Sequence, residues 1–289
     1  MIVMRLKGGL GNQLFQYALG RYLSHTKNTT LELDTASYHI DRLRVYRLDS
    51  FEIVATASDR LPFFSTEGRA RHLNKVIQAV KGLFSRPFQI IRERHFSFDP
   101  SVFDCSDQAY LDGFWQSEQY FAPIADVIRH DLRLKNPLPP VLQELSSQIQ
   151  GTNAVAVHVR RGDYVSNPIT TAYHGVCSAQ WYEDAAKHMM QKVVNPTFFV
   201  FSDDYEWVRE NIHFDAPTVF IPPSPDGQEC NDMHVMSLCQ HNIIANSSFS
   251  WWGAWLNANP NKIVISPKQW FAAGNHDTKD LIPHSWIRL

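Results

Sequence analysis

Cysteine is scarce in this chain, and what there is of it is scattered. Cys105, Cys177, Cys230 and Cys239 are the only four in 289 residues. None forms a CxxC pair, which argues against a structural zinc site or a redox dithiol and fits a reduced compartment. Long apolar runs are missing too: no stretch approaches the 18 residues of a membrane-spanning helix, and Met1–Arg5 is too short to act as a signal peptide. The expectation is a cytoplasmic protein. There is also little net charge, with 27 Lys and Arg against 29 Asp and Glu, so binding nucleic acid through bulk charge is not expected. No Asp-x-Asp occurs, leaving no obvious metal-ligand spacing. No repeat of 20–50 residues and no low-complexity tract interrupts the chain.

What is present reads as an ordinary globular composition, 44% hydrophobic and 19% charged. The length suggests two domains, and strands alternate with helical stretches in the manner of a doubly wound α/β sheet. Residues 1–6 and 30–34 are strands around a helix from Leu14 to His25. In the second half, strands at 154–159, 197–201, 218–221, 242–245 and 262–266 alternate with helices at 179–192, 205–212, 228–241 and 249–257. Three prolines in Lys135–Pro140 mark the junction, giving domains 1–145 and 146–289. One segment departs from the charge balance: Arg60 to Arg94 holds eight Lys or Arg against Glu67 and Glu93. It reads as a solvated helical hairpin or as a peripheral contact with an anionic membrane surface.

Four stretches can carry chemistry. Gly8-Gly9-Leu10-Gly11-Asn12-Gln13 lies between a strand and a helix, where Gly9 and Gly11 let a ligand approach the backbone and Asn12 and Gln13 offer amides. It fails the dinucleotide fingerprint because Leu14 occupies the third glycine position. His158-Val159-Arg160-Arg161-Gly162-Asp163 follows a buried strand. Adjacent guanidiniums leaving a sheet suit a diphosphate, and Asp163 either holds an arginine or acts as a base. Asp203 and Asp204 also follow a strand, placed to accept from ribose or guanine, to ligate a metal, or to cap the next helix. Asn246-Ser247-Ser248-Phe249 stands where a helix begins, so the serine hydroxyls and free N–H groups converge on an anion. Trp251, Trp252 and Trp255 read as core. His174 is a weaker candidate, either structural or facing the ligand.

Taken in order, GGLGNQLFQYALGRYL at 8–23, HVRRGDYV at 158–165, HGVCS at 174–178, FSDD at 201–204 and NSSFSWWGAWL at 246–256 resemble the bacterial galactoside α-1,2-fucosyltransferases of glycosyltransferase family 11. That resemblance implies a GT-B fold, two Rossmann-like domains facing across a cleft, with acceptor selection in the first and donor binding in the second. It implies GDP-β-L-fucose as donor, a β-galactoside as acceptor, inversion at the anomeric carbon and no obligatory metal or cofactor. Arg160 would bind the diphosphate with Arg161 and His158 assisting. Asn12 would lie near the fucose or departing oxygen, Ser247, Ser248 and Phe249 near the phosphates, and Asp203 and Asp204 near the nucleoside. Asp163, then His174, are the candidate bases. Two other functions compete: a nicotinamide-dependent oxidoreductase using the glycine loop, and a carbohydrate-binding module built on the eight tryptophans.

Overall fold

The computed structural model describes residues 1–41, 43–59, 88–225, 228–274 and 276–289. The chain divides into two compact units, Met1–Arg133 and Leu134–Leu289. Each is built on a parallel sheet, as the alternation of strands and helices predicts.

In the first unit, β1 (Ile2–Arg5), β2 (Leu31–Asp34), β3 (Thr56–Ser58), β4 (Gln89–Arg92) and β5 (Ala109–Asp112) form a sheet in the order β3-β2-β1-β5-β4. Every pairing is parallel; Ile2 faces Leu31 on one side and Ala109 on the other. The central strand is apolar on both faces, as a covered parallel sheet requires. Helix α1 (Leu10–Thr26) is buried on most of its circumference. Gly20 lets it come close to the sheet, since a Cβ there would sit 2.8 Å from Leu31 Cδ1. The helix starts four residues earlier than its periodicity predicts, because Gly9 serves as N-cap and Gly11, Asn12 and Gln13 already lie in its first turn. A shorter helix, α2 (Ala125–Asp131), ends the unit. Its buried Asp131 accepts at Oδ2 from Tyr17 Oη at 2.6 Å and from Arg21 Nε at 2.8 Å.

The second unit opens with α3 (Pro140–Gln150). Its sheet comprises β6 (Asn153–Val159), β7 (Pro196–Ser202), β8 (Thr218–Ile221), β9 (His241–Ile243), β10 (Val264–Ser266) and β11 (Ile287–Arg288) in the order β11-β10-β9-β6-β7-β8, again all parallel. The helices are α4 (Gly162–Ser166), α5 (Pro168–His174), α6 (Ala179–Met190), α7 (Tyr205–Asn211), α8 (Glu229–Leu238) and α9 (Ser248–Leu256). Val155, Val157, Val159, Phe198 and Val200 pack against Tyr182, Ala185 and Met189 of α6. Trp251 and Trp252 are fully buried and Trp255 nearly so, which makes all three core residues.

Two features differ from the sequence-based expectations. A boundary at residue 145 would cut through α3: Pro139 and Pro140 stand at its N-terminus, where a missing N–H costs nothing, so the break falls at residues 133–134. The stretch after Arg161, for which no element is predicted above, holds the two short helices α4 and α5. Most of the basic segment, 60–87, lies outside the described residues, and with it the predicted hairpin and membrane contact. Among the described residues no helix is long and apolar enough to cross a membrane, and no three His, Cys, Asp or Glu cluster as metal ligands would.

Candidate functional site

In an open parallel sheet the chain winds outward from a central pair of strands, and the crevice beyond their C-terminal ends is where ligands settle. That reversal falls between β1 and β5 in the first unit and between β6 and β9 in the second. The four sequence stretches divide between these places.

At the second unit's reversal, β6 delivers His158, Arg160 and Arg161, and β9 delivers Asn246 to Phe249. The rings of His158 and Phe249 meet at 5.4 Å, so the stretches converge although some 90 residues separate them. Arg160 is forked between two carboxylates: Nη2 donates to Asp163 Oδ1 at 2.5 Å and Nη1 pairs with Asp203 Oδ2 at 2.7 Å. Burial works against its charge, but Asp203 and Asp163 outweigh it and its pKa is raised. Arg161 lies flat over Trp207, 3.7 Å from the ring centroid, and pairs through Nε with Asp204 Oδ2 at 3.0 Å. Asp203 also accepts from the Arg161 backbone N–H at 2.8 Å. It packs on Gly162, where any Cβ would overlap Asp203 Oδ2.

The predicted nucleoside readers are thus engaged with the arginines. Asp203 and Asp204 hold guanidiniums in place, and Asp204 additionally caps α7 by accepting from Trp207 N–H. Two arginines and three aspartates leave this knot one negative charge in excess. An anion arriving here would meet oriented N–H donors and the positive end of α9 rather than a bulk positive field. Ser247 is the N-cap of α9 and its hydroxyl makes no cap hydrogen bond, while Ser248 begins the helix. His158 is 5% exposed, and burial reinforced by the Arg160 charge pushes its pKa down to about 3. It is a neutral imidazole at physiological pH.

Asn246 organises this end of the sheet. Its Nδ2 donates to the carbonyls of His174 (2.9 Å), Gly175 (3.4 Å) and Trp270 (3.1 Å), and its own carbonyl accepts from Tyr164 Oη at 3.3 Å. Tyr164 in turn lies 5.4 Å beneath the Arg160 guanidinium and stacks on His174 at 4.6 Å and 12°. His174, with Phe271 and Tyr173 also around its ring, belongs to an aromatic cluster that supports the arginine platform. Burial raises the Cys177 thiol to about 11, so it is no nucleophile.

At the first unit's reversal the chemistry is different. Gly8 takes φ +79° and a Cβ there would lie 2.5 Å from Asn12 Nδ2. Gln13 is fully buried and spends its amide on the Gly8, Val45 and Arg47 backbone; it ties the loop down and presents nothing outward. A Cβ on Gly9 would lie 3.7 Å from the Arg44 side chain, and Gly11 is buried in the helix. Of the predicted group only Asn12 offers a partly open polar side chain. Beyond β5, Trp115 adopts φ +56°, a conformation costing a bulky residue about 1–2 kcal/mol. The Glu93 carboxylate stabilises it by accepting from Phe114 N–H at 2.7 Å and Trp115 N–H at 2.9 Å.

Sequence reasoning missed Asn246, Tyr164, Trp207, Glu93 and Gln116 as functional supports. Tyr164 and Asn246 stood inside stretches already singled out and carried a signal. Trp207, Glu93 and Gln116 reach their partners only through the fold and carried none.

Comparison with known proteins decides the family. The model of Glycosyl transferase family 11 matches residues 1–289. The chain belongs to glycosyl transferase family 11. This family 11 chain is 36% identical to the alpha-1,2-colitosyltransferase of Escherichia coli, with all of the chain and 99% of that protein covered. It is 32% identical to the O-antigen biosynthesis glycosyltransferase WbnK of Escherichia coli over 98% and 99%, and 26% identical to the galactoside 2-alpha-L-fucosyltransferase Sec1 of Mus musculus over 89% and 64%. Among solved structures it is similar to NodZ alpha-1,6-fucosyltransferase soaked with GDP-fucose, at 15% identity and a TM-score of 0.48, with 88% and 91% covered. The family makes it a glycosyltransferase, and the oxidoreductase and binding-module readings fall.

Proposed function

We propose that the chain transfers L-fucose from GDP-β-L-fucose to the 2-hydroxyl of a terminal β-galactoside, with inversion and without a divalent metal. The observation that carries the reading is the forked Arg160 at the β6–β9 reversal, facing the same crevice as the start of α9. When the fucosyl–phosphate bond breaks, negative charge grows on the diphosphate, and donors that are already oriented lower that barrier most. Asp163 and Asp203 supply the orientation. Arg160 meets the diphosphate, Arg161 and neutral His158 flank it, and Ser247, Ser248 and Phe249 close the far side. Asp163 then serves as an anchor for Arg160 rather than as the base. As the family resemblance implies, Asn12 acts on the sugar or the departing oxygen, and acceptor selection resides in the first unit.

The 36% identity to a colitosyltransferase favours a second reading of the donor, since colitose is L-fucose without its 3-hydroxyl. The test is incubation with GDP-fucose or GDP-colitose, a panel of β-galactosides and excess EDTA, followed by linkage analysis. An α-1,2-fucosylated product formed in EDTA is expected. Product from GDP-colitose alone replaces the donor assignment, transfer from neither overturns both readings, and activity that needs added magnesium or manganese overturns metal independence.

A further inference from the structure

The turn after β5 is held with more care than a connection needs. Glu93 fixes Phe114 and Trp115 through two consecutive backbone N–H groups, and two residues on the Ser117 N–H returns to the Trp115 carbonyl at 2.9 Å. Gln116 is therefore the apex of a three-residue turn that begins on a strained tryptophan. Gln16 supports the turn from below, donating to the Gly113 carbonyl at 3.0 Å. Gly113 is required there as well, for a Cβ would lie 2.5 Å from Glu93 Cβ.

What this machinery delivers is one side chain. Gln116 is 8% exposed, and its Nε2 donates to Asn12 Oδ1 at 2.6 Å across the β1–β5 reversal. An asparagine amide has one acceptor end and one donor end. In this pairing Oδ1 is occupied by Gln116, so Nδ2 is the end left to donate. The Asn12 backbone N–H is already spent on the Gly9 carbonyl at 2.9 Å. Gly8 adds the space, because only a residue without Cβ leaves room for Nδ2 where it stands.

We infer that Gln116 is a positioning residue: it fixes the Asn12 amide with its N–H₂ outward, so that Asn12 acts in transfer as a hydrogen-bond donor. This rests on the role proposed above for Asn12 and deepens it by stating what the amide presents: a donor to an oxygen of the transferring sugar or to the departing phosphate oxygen, where negative charge accumulates. Gln116 itself touches neither substrate. A misdirected donor at a reacting centre costs up to about 100-fold in rate.

The experiment measures kcat and donor KM, with lactose and whichever of GDP-fucose and GDP-colitose is turned over, for Gln116→Leu, Gln116→Glu, Asn12→Ala and both double variants with Asn12→Ala. Gln116→Glu keeps the shape but offers an acceptor, which recruits Nδ2 and turns Oδ1 outward. Both single Gln116 variants are expected to lose about 10–100-fold in kcat with donor KM within about threefold and an unchanged melting temperature. In the Asn12→Ala background neither should lose anything further. Equal losses in both backgrounds, or wild-type kcat in Gln116→Glu, overturn the inference while leaving Asn12 its role. Wild-type kcat in Asn12→Ala overturns that role and the inference with it. If Gln116→Leu unfolds, Gln116→Glu and its double variant decide alone.

Discussion

The two strand-order reversals of this molecule are the same topological device furnished with different chemistry. The one between β6 and β9 is charged, with two arginines braced by three aspartates around His158. The one between β1 and β5 presents a pair of amides, Asn12 and Gln116, on a strained turn, beside the ion pairs of Asp112 with Arg5 and Lys7. Each has a glycine at its base whose missing Cβ makes room for a polar side chain, Gly162 for Asp203 and Gly8 for Asn12. Topology therefore fixes where a ligand can settle, and the side chains decide what is done to it. A departing diphosphate needs fixed positive donors, whereas a sugar hydroxyl is better met by uncharged groups that do not compete for its proton.

The contrast can be broken first at Arg160. Arg160→Ala should reduce transfer by about 10²–10³-fold, measured as initial rate, with circular dichroism unchanged. Arg160→Lys keeps the charge but cannot span Asp163 and Asp203, and should lose most of that rate; wild-type turnover in the lysine variant would mean that charge alone suffices.

A smaller effect is expected from Gly162→Ala. Its methyl group displaces Asp203, which loosens Arg160 and the Arg161 backbone contact together. Turnover should fall about 10-fold and donor KM should rise. Unchanged kinetics would show that Asp203 is not what holds the fork.

Smallest, and confined to stability, is the consequence of neutral His158. Its folded pKa of about 3 lies below the model-peptide value of 6.5, so the unfolded chain takes up the proton first as the pH falls. Stability is full above pH 6.5 and is lost towards pH 3, by about 2 kcal/mol between pH 7 and 5. Denaturant titrations of the wild type and His158→Gln at both pH values should show that much less acid loss in the variant. Equal losses would mean that His158 is solvated.

Legibility followed burial in part: β5 is buried, yet the sequence reading names no strand at 109–112. β6 and β7 were plain in the sequence because both faces are covered and the run is continuously apolar. β3 and β4 at the edges of their sheet were not, since three exposed or half-exposed residues such as Thr56–Ser58 carry no periodicity. Helices α4 and α5 were hidden by Gly162, Pro168 and Gly175 and are too short for a repeating face to show. The candidate site was legible as residue types at strand ends, down to the two readings of Asp163. Its pairings were not, because Arg161 stacks on Trp207 and Asn12 meets Gln116 only once distant strands lie side by side.

The all-parallel register also sets an order of events for a growing chain. Among the described residues no strand pairs with its neighbour as a β-hairpin; Ile2 must wait for Ala109 on the adjacent strand β5. At a ribosomal pace of 5–20 residues per second, the central strand of the first unit stays half-covered for roughly 5–20 s, its apolar edge open to chaperones or to other nascent copies until β5 emerges.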